Sequence, residues 1–240
     1  MHSTSNFSEP VGSNIRIRVF KAPNDPDTCV RFVEGHQRLL EIHYGIAKVT
    51  SGGAEWTTHE NTIVIVAENL EGTKVYGGAR VQLADARVPL PIETAIGKYD
   101  SSIHTMANKG SAEICGLWNS REVAGLGIGS IFMARVGIAI CDQLPVDKVF
   151  FLCAPVTVRI GKRIGGEVET ALGDNGIFYY PKDDFVATSM IIRDPLTLNK
   201  AEPVEHERIM SLRQNPIQQK NESGPKGSLE VDYQLEINLR

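Results

Sequence analysis

The sequence predicts a mixed α/β fold of the α+β type, in which a sheet carries helices on its faces. Apolar and polar residues alternate near both ends of the chain, as they do in half-buried strands. Short apolar runs in the middle indicate buried strands, and segments with capping residues between them indicate helices. The chain has 240 residues, of which 42% are hydrophobic, so it can bury a core of its own.

The individual elements follow from local signals. Asp25 before Pro26 is typical of a helix start, and Gly45 is typical of a helix end. The predicted strands are Ile15–Phe20, Thr62–Ala67, Lys74–Leu83, Ala112–Trp118, Val149–Ala154, Phe185–Ile192 and Leu229–Leu239. Beyond the helix that starts at Asp25 and a short one ending at Ile96, the predicted helices are Gly127–Gln143, Val156–Ile164 and Pro203–Arg213. Loops are expected at Lys98–Ser111, as a mobile surface segment, and at Asn221–Gly227.

These elements group into a flexible N-terminus (residues 1–14), one domain (residues 15–200) and a C-terminal helix and strand extension packed on that domain (residues 201–240). The terminal strand alternates throughout and would be unfavourable if left uncovered, so we expect it to pair with its own sheet or with that of a second copy.

Composition argues against several classes of function. Lys and Arg number 25 against 29 Asp and Glu, and the net charge of −4 argues against a nucleic-acid partner. No apolar run approaches the roughly 18 residues of a membrane span, and the polar N-terminus does not resemble a signal peptide, so we expect a cytoplasmic protein with no membrane partner. His36 and His43 share a helix face without a third ligand, so no metal is expected. Reduced, buried cysteines are expected at Cys29, Cys115, Cys141 and Cys153.

The most informative segment runs from Ala112 to Ser130. A strand leads into a turn with three alternate glycines, Gly125, Gly127 and Gly129, and then into a helix beginning near Ser130. The unpaired N–H groups at such a helix start can hold phosphate, and glycine lets the backbone approach it closely. A Walker loop is rejected because no Lys precedes Ser130, and the spacing is a poor match to a dinucleotide-binding turn.

The same stretch resembles motif A of the GNAT acyltransferase superfamily, and the order of elements from residue 15 to residue 193 resembles that family as well. Ala124 to Gly129 correspond to its glycine loop, and Phe150 to Pro155 correspond to its next strand. The loop departs from the pattern because Ala124 stands where a Gln or Arg is usual; Arg121 could replace that basic contact. The family's tyrosine acid falls near Gly161, so the acid is unassigned, and Tyr179 or Tyr180 could supply it.

The resemblance implies a mostly antiparallel sheet with splayed middle strands, helices on both faces and an acyl-CoA donor in the slot between the strands. Glu113 would be the general base for the attacking amine; the alternative is a solvent-facing or salt-bridged strand Glu. Trp118 is more plausible as a packing residue whose backbone still pairs with the donor. The residues implied for donor binding are Leu117, Trp118, Asn119, Arg121, Ala124, Gly125, Leu126, Gly127, Ile128, Gly129 and Ser130.

Three functions remain open at this stage. The first is an acyl-CoA-dependent N-acyltransferase, with an acetyl donor favoured, acting on an amine of a small molecule or protein. The second, suggested by the strand Val75–Val81 and the long insert before Glu113, resembles the acyl-homoserine lactone synthase or N-acyl amino acid synthase branch and would use a longer acyl chain, from CoA or acyl carrier protein. The third is a non-catalytic acyl-CoA-binding sensor. A homodimer formed through the C-terminal strand is the expected form of self-association.

Overall fold

A computed structural model describes residues 14–45 and 49–237 of the chain, and these form one twisted, mostly antiparallel sheet of ten strands. The strand order is β6-β8-β5-β4-β3-β2-β1-β10-β9, with β7 pairing β8 beside this path. Among the described strands, β1–β10 and β4–β5 are the pairs that run in parallel. The strands are β1 Asn14–Lys21, β2 Thr62–Glu68, β3 Val75–Leu83, β4 Ser111–Asn119, β5 Lys148–Cys153, β6 Glu167–Val168, β7 Ile177–Tyr179, β8 Val186–Ile192, β9 Ile217–Gly224 and β10 Gly227–Gln234.

Helices cover both faces of the sheet, which confirms the predicted fold class. The helices are α1 Pro26–Tyr44, α2 Pro91–Ile96, α3 Ser102–Met106, α4 Met133–Ala139, α5 Pro155–Arg163 and α6 Pro203–Gln214. One face packs against α4 and α6 in the largest apolar cluster, and the other packs against α1, α2 and α3 in two smaller clusters. Every described helix is too short or too polar to cross a lipid bilayer.

Helix α1 begins and ends where the sequence predicts. The Asp25 carboxylate accepts a hydrogen bond from the Thr28 N–H at 3.0 Å, and Pro26 occupies the first turn. Gly45 ends the helix with φ +59°, a left-handed conformation that glycine adopts at little cost. His36 and Leu39 of this helix line the cavity described below.

Two predicted loops are wrong. The segment Lys98–Ser111 contains α3, and fully buried Ile103 anchors it against α2, so it is not a mobile surface loop. Most of Asn221–Gly227 belongs to β9, whose polar residues gave no apolar alternation; backbone pairing with β10 supplies the order instead. Strand β10 ends at Gln234, earlier than predicted, and residues 238 and 239 of the predicted strand lie outside the described residues.

The C-terminal strand completes its own sheet. Strand β10 is bonded to β1 on one side and to β9 on the other, so it has no free edge for a second copy. The prediction of a homodimer formed through this strand is therefore wrong. The strand at that edge of the sheet is β9, not β10.

A buried ionic cluster ties this end of the chain to α4. The Arg135 guanidinium is fully buried and donates to Glu205 of α6 at 2.9 Å and to Glu222 of β9 at 3.0 Å. The Tyr233 hydroxyl donates to the same Glu222 carboxylate at 3.0 Å. Two carboxylates compensate the buried charge, so α4, α6 and the final hairpin pack as a unit.

Candidate active site

A fork in the sheet creates the site. Strands β4 and β5 pair only from Ser111–Lys148 to Glu113–Phe150, after which they diverge, although β4 runs on to Asn119 and β5 to Cys153. This is the splay that the sequence resemblance implied. The backbone of β4 beyond Glu113 therefore faces an open slot instead of a strand on that side.

A β-bulge bends β4 inside the slot. The register with β3 shifts by one residue between Cys115 and Trp118, so two β4 residues oppose Ala79 alone. Gly116, one of these two, has φ +63°, which favours glycine. The bulge redirects the strand at the point where the gap to β5 opens.

The slot contains a cavity with a volume of about 750 Å³. Its walls are formed by α1 with residues 49–51, by β4 from Glu113 to Asn119, by the end of β5 with α5, and by the segment 180–187. Most of the wall is apolar; Leu39, Leu117, Phe151, Leu152, Val156 and Ile160 all contribute. The cavity extends from the carboxyl group of Glu113 to Gly129, at the start of the helix that follows β4.

Glu113 lies in the cavity wall at the fork and is 2% exposed. Its carboxyl oxygen accepts a hydrogen bond from the Ile92 N–H at 2.7 Å. Burial raises the pKa of Glu113 to about 8, because the charged form loses water, while the Ile92 N–H and the Arg80 charge oppose this rise and Glu93 adds to it. This arrangement yields a carboxyl group that changes its charge near neutral pH, the property of a general acid or base.

Three other polar side chains of the wall, His36, Cys153 and Tyr180, are neutral near pH 7. Burial, together with the charge of Arg80, lowers the pKa of His36 to about 4. The Tyr180 hydroxyl accepts from the Thr50 N–H at 2.5 Å and donates to Thr50 Oγ1 at 2.9 Å, and its burial raises its pKa. Burial also raises the pKa of the Cys153 thiol, to about 11, so it is a poor nucleophile. Tyr179 points to solvent with 58% of its surface exposed, which leaves Tyr180 as the tyrosine of the cavity.

The helix after the glycine loop begins irregularly. A π-helical turn, Ile128–Phe132, precedes α4, and the Phe132 N–H donates to the Gly127 carbonyl at 3.3 Å. A Cβ at Gly127 would lie 2.6 Å from the Phe132 ring, and one at Gly129 would lie 1.9 Å from Asn119 Oδ1. Both glycines are thus required by the packing of the chain itself, whether or not a phosphate binds there.

The final hairpin covers the first part of the loop. The Lys226 N–H donates to the Gly125 carbonyl at 3.0 Å, and a Cβ at Gly125 would lie 2.6 Å from the Lys226 side chain. A Cβ at Gly224 would lie 2.4 Å from the Leu126 backbone. The turn between β9 and β10 is therefore part of the surroundings of the glycine loop, which the sequence did not indicate.

A second groove lies beside the cavity. It has a volume of about 690 Å³, and its charged lining is mixed: Arg31, Arg38, Lys74 and Arg121 are basic, whereas Glu34 and Glu122 are acidic. Lys74 forms an ion pair with Glu122 at 2.7 Å. Leu39, Trp118 and Asn119 line both the groove and the cavity, and Arg121 lines the groove alone.

The predicted donor-binding residues divide into two groups. The cavity wall contains Leu117, Trp118, Asn119 and Gly129, whereas Arg121, Ala124, Gly125, Leu126, Gly127 and Ile128 lie outside it; the side chain of Ser130 is not among those described. Trp118 packs edge-on against Phe32 at 5.8 Å, and Gly35 leaves room for its ring.

On α5, the Arg163 guanidinium forms an ion pair with the Glu205 carboxylate of α6 at 2.5 Å. The His43 side chain is likewise not described, and the described residues contain no group of three potential metal ligands.

Arg80 is a buried residue that interacts electrostatically with Glu113 and to which the sequence analysis gave no role. It is 1% exposed, lies on the same face of β3 as Gln82, and is paired in register with Cys115 of β4. A single basic residue in the otherwise apolar and small-residue stretch Val75–Val81 is the signal that could have identified it.

Comparison with known proteins identifies the fold. No protein-family model matches the sequence, and no curated protein sequence matches it either. FeeM, an N-acyl amino acid synthase from uncultured soil microbes, has a TM-score of 0.58 at 16% identity, covering 80% of this chain and 98% of FeeM. BjaI, a CoA-dependent acyl-homoserine lactone synthase, has a TM-score of 0.53 at 15% identity, covering 82% and 90% of the two chains. Escherichia coli ElaA has a TM-score of 0.52 at 10% identity, covering 74% and 98%. Together with the fork between β4 and β5, these similarities establish that the chain has the GNAT fold.

Proposed function

We propose that the protein is an N-acyltransferase, which moves an acyl group from a CoA thioester to an amine within the cavity between β4 and β5. The observation that carries the proposal is the position of Glu113, where these strands separate, in the wall of a large apolar cavity and with a pKa of about 8. The same fold is found in an N-acyl amino acid synthase and a CoA-dependent acyl-homoserine lactone synthase.

The transfer requires orientation of the two reactants, one proton acceptor and one proton donor. The amine nitrogen attacks the thioester carbonyl carbon, so a C–N bond forms while the C–S bond breaks. Glu113 accepts the proton that the nitrogen loses, and the sulfur leaves as a thiol after it gains a proton. Tyr180 is the candidate donor of that proton, because its hydroxyl lies in the same wall. Holding both reactants in one slot replaces a bimolecular encounter, which is a large part of the rate gain.

The donor is proposed to lie along β4. The free backbone of that strand beyond Glu113 would pair with the pantetheine amides near Leu117 to Asn119, and the diphosphate would lie by the helix start at Gly129. Arg31, Arg38 and Arg121 of the second groove would attract the phosphates of a donor that extends past Asn119, which lines both the groove and the cavity.

Thiol release measures the proposed reaction directly. Acyl-CoA is mixed with a panel of amines, the free thiol is followed by a colorimetric reagent, and the N-acyl product is identified by mass. We expect amine-dependent thiol release that falls by about 10²- to 10⁴-fold in Glu113→Gln. Glu60→Gln, at a side chain 73% exposed, is the matched control and should retain the full rate. Folding of each variant is checked by circular dichroism.

Two outcomes would overturn the proposal. Acyl-CoA that binds but is never consumed with any amine would support the sensor function instead. A folded Glu113→Gln protein with the full rate would remove Glu113 from the mechanism.

A longer acyl chain is the second candidate for the donor, and the apolar wall favours it. Phe151, Leu152, Val156 and Ile160 line the β5–α5 side of the cavity, where an acetyl group alone would leave most of their surface uncovered. Donors of increasing chain length distinguish the two: kcat/KM should rise with length if this wall binds the chain, and should be greatest for acetyl-CoA if it does not.

A further inference from the structure

The two oxygens of the Glu113 carboxyl group have different surroundings. Oε2 accepts the Ile92 N–H at 2.7 Å, whereas Oε1 has no hydrogen-bond partner among the described residues. Glu113 lines the cavity, so Oε1 is the oxygen left for a bound amine. The direction of the carboxyl group therefore depends on where the Ile92 N–H is held.

The Ile92 N–H belongs to the first turn of α2, where backbone N–H groups have no partner within the helix. Helix α2 has six residues, and a helix this short is not stable through its own backbone bonds. Ile92 is fully buried in the apolar cluster that joins α2 to α3. The position of this N–H thus depends on what holds α2 to the rest of the chain.

The Glu93 carboxylate makes two of the contacts that hold α2. Its Oε2 accepts the Leu90 N–H at 2.7 Å, which closes the first turn of the helix. Its Oε1 lies 3.0 Å from Nδ1 of His104, a residue of α3. A Cβ at Gly97 would lie 2.4 Å from His104 Nε2, so this glycine lets the ring lie against the end of α2. Glu93 therefore ties the first turn of α2 to α3.

The chain before α2 is tied to β3 as well. Gln82 is paired in register with Glu113, is 2% exposed and donates to the Pro89 carbonyl at 3.2 Å. The segment that carries the Ile92 N–H is thus attached to the strand beside Glu113 through Gln82, and to α3 through Glu93. Of these two attachments, Glu93 is the one that carries a charge.

That charge acts on Glu113 too. Two neighbouring carboxylates repel each other, so Glu93 opposes the ionisation of Glu113, in the same direction as the stronger effect of burial. The Ile92 N–H and the Arg80 guanidinium favour ionisation. The other titratable groups of the site are uncharged near pH 7; they are His36, Cys115, Cys153 and Tyr180.

We propose that Glu93 is a positioning residue for Glu113. By holding the Leu90 N–H and the His104 ring, it fixes the first turn of α2. The Ile92 N–H of that turn then holds one oxygen of the Glu113 carboxyl group and leaves the other to the amine. The inference rests on the proposed function, because it takes Glu113 as the base, but the effect of Glu93 on Glu113 can be measured without turnover.

Two substitutions of Glu93 separate its hydrogen bonds from its charge. Glu93→Ala removes both, and we expect kcat to fall by about 10- to 100-fold while KM changes by less than about threefold, since the base is displaced but substrate contacts remain. Glu93→Gln keeps an oxygen for the Leu90 N–H and removes the charge. It should recover most of the rate at high pH, and the pH at which kcat/KM is half-maximal should fall by about half a unit or more.

The titration of Glu113 provides the measurement that needs no substrate. Glutamate side chains are labelled with ¹³C at the carboxyl carbon, and the Glu113 resonance is identified by its absence in Glu113→Gln. The wild-type midpoint should lie at about pH 8, and Glu93→Gln should lower it by about half a unit or more. Glu60→Gln, at a side chain 73% exposed, is the matched control and should leave the midpoint unchanged. A residue that only stabilises the fold would not move this midpoint.

The failures are distinguishable. If no amine is acylated by the wild-type protein, the proposed function fails, and the Glu113 midpoint still decides whether Glu93 acts on it. If Glu93→Ala keeps the full kcat and Glu93→Gln keeps the wild-type midpoint, the positioning role is refuted while the acyltransferase survives. If Glu93→Ala does not fold, the midpoint and the pH profile of Glu93→Gln decide.

Discussion

Replacing Glu113 with glutamine should change how the stability of the protein depends on pH. Glutamine has almost the same shape and can still accept the Ile92 N–H, but it cannot ionise. In the folded protein burial raises the pKa of this carboxyl from 4.5 to about 8. Over that interval the folded chain keeps a proton that the unfolded chain has released, so increasing the pH favours unfolding.

The size of the effect follows from this interval. The stabilising contribution of the protonated carboxyl is complete below the unfolded pKa and is lost as the pH rises through about 8. Between about pH 5 and about pH 8 the wild-type protein should therefore lose about 3–4 kcal/mol of unfolding free energy that Glu113→Gln does not lose.

Urea unfolding at these two pH values measures the difference. Wild type, Glu113→Gln and the control Glu60→Gln are compared, and the control should follow the wild type because its side chain is 73% exposed. Wild-type and Glu113→Gln curves that shift equally with pH would refute the raised pKa. They would also remove the reason for expecting kcat/KM to increase with pH up to about 8.

Three further predictions concern the surroundings of the site. Glu222→Ala leaves the buried Arg135 charge with one carboxylate fewer and should reduce the unfolding free energy by about 3–5 kcal/mol in urea titrations; a loss below about 1 kcal/mol would contradict the cluster's structural role. Gly116→Ala forces a side chain into a left-handed conformation and should destabilise by about 1–2 kcal/mol, whereas an unchanged midpoint would speak against the β-bulge. Tyr180→Phe removes both hydrogen bonds to Thr50 and should reduce kcat by at least about 10²-fold if the hydroxyl is the acid. A decrease of less than about tenfold would show that Tyr180 is not the acid and that its hydroxyl serves only to hydrogen-bond Thr50.

Elements with their own local signals were predictable from the sequence. Asp25 and Gly45 fix the ends of α1 through capping chemistry that depends on a few neighbouring residues. The apolar runs of β2 and β5 predict buried strands without knowledge of their neighbours, and most residues of both strands are buried. By contrast, β9 is polar along its length, and its order comes from β10, so no pattern within Ile217–Gly224 could indicate it.

The site was predictable in part, for a related reason. Glu113 was notable as an acid in an apolar strand, but its raised pKa comes from burial by the folded chain, which the sequence pattern does not show. The glycine loop shows the opposite problem: Gly125 has φ +90° and packs against Lys226, which lies far along the chain, so the glycine pattern alone cannot separate ligand binding from packing.

A crystal structure with a non-reactive thioether analogue of acyl-CoA would test the central claim most directly. We expect the thioether sulfur between β4 and β5, with the acyl carbon within about 4 Å of the Glu113 carboxyl group or one water away from it. An analogue bound only in the groove between α1 and Arg121, with the space between the two strands left to water, would contradict the assignment of this fork as the site of acyl transfer.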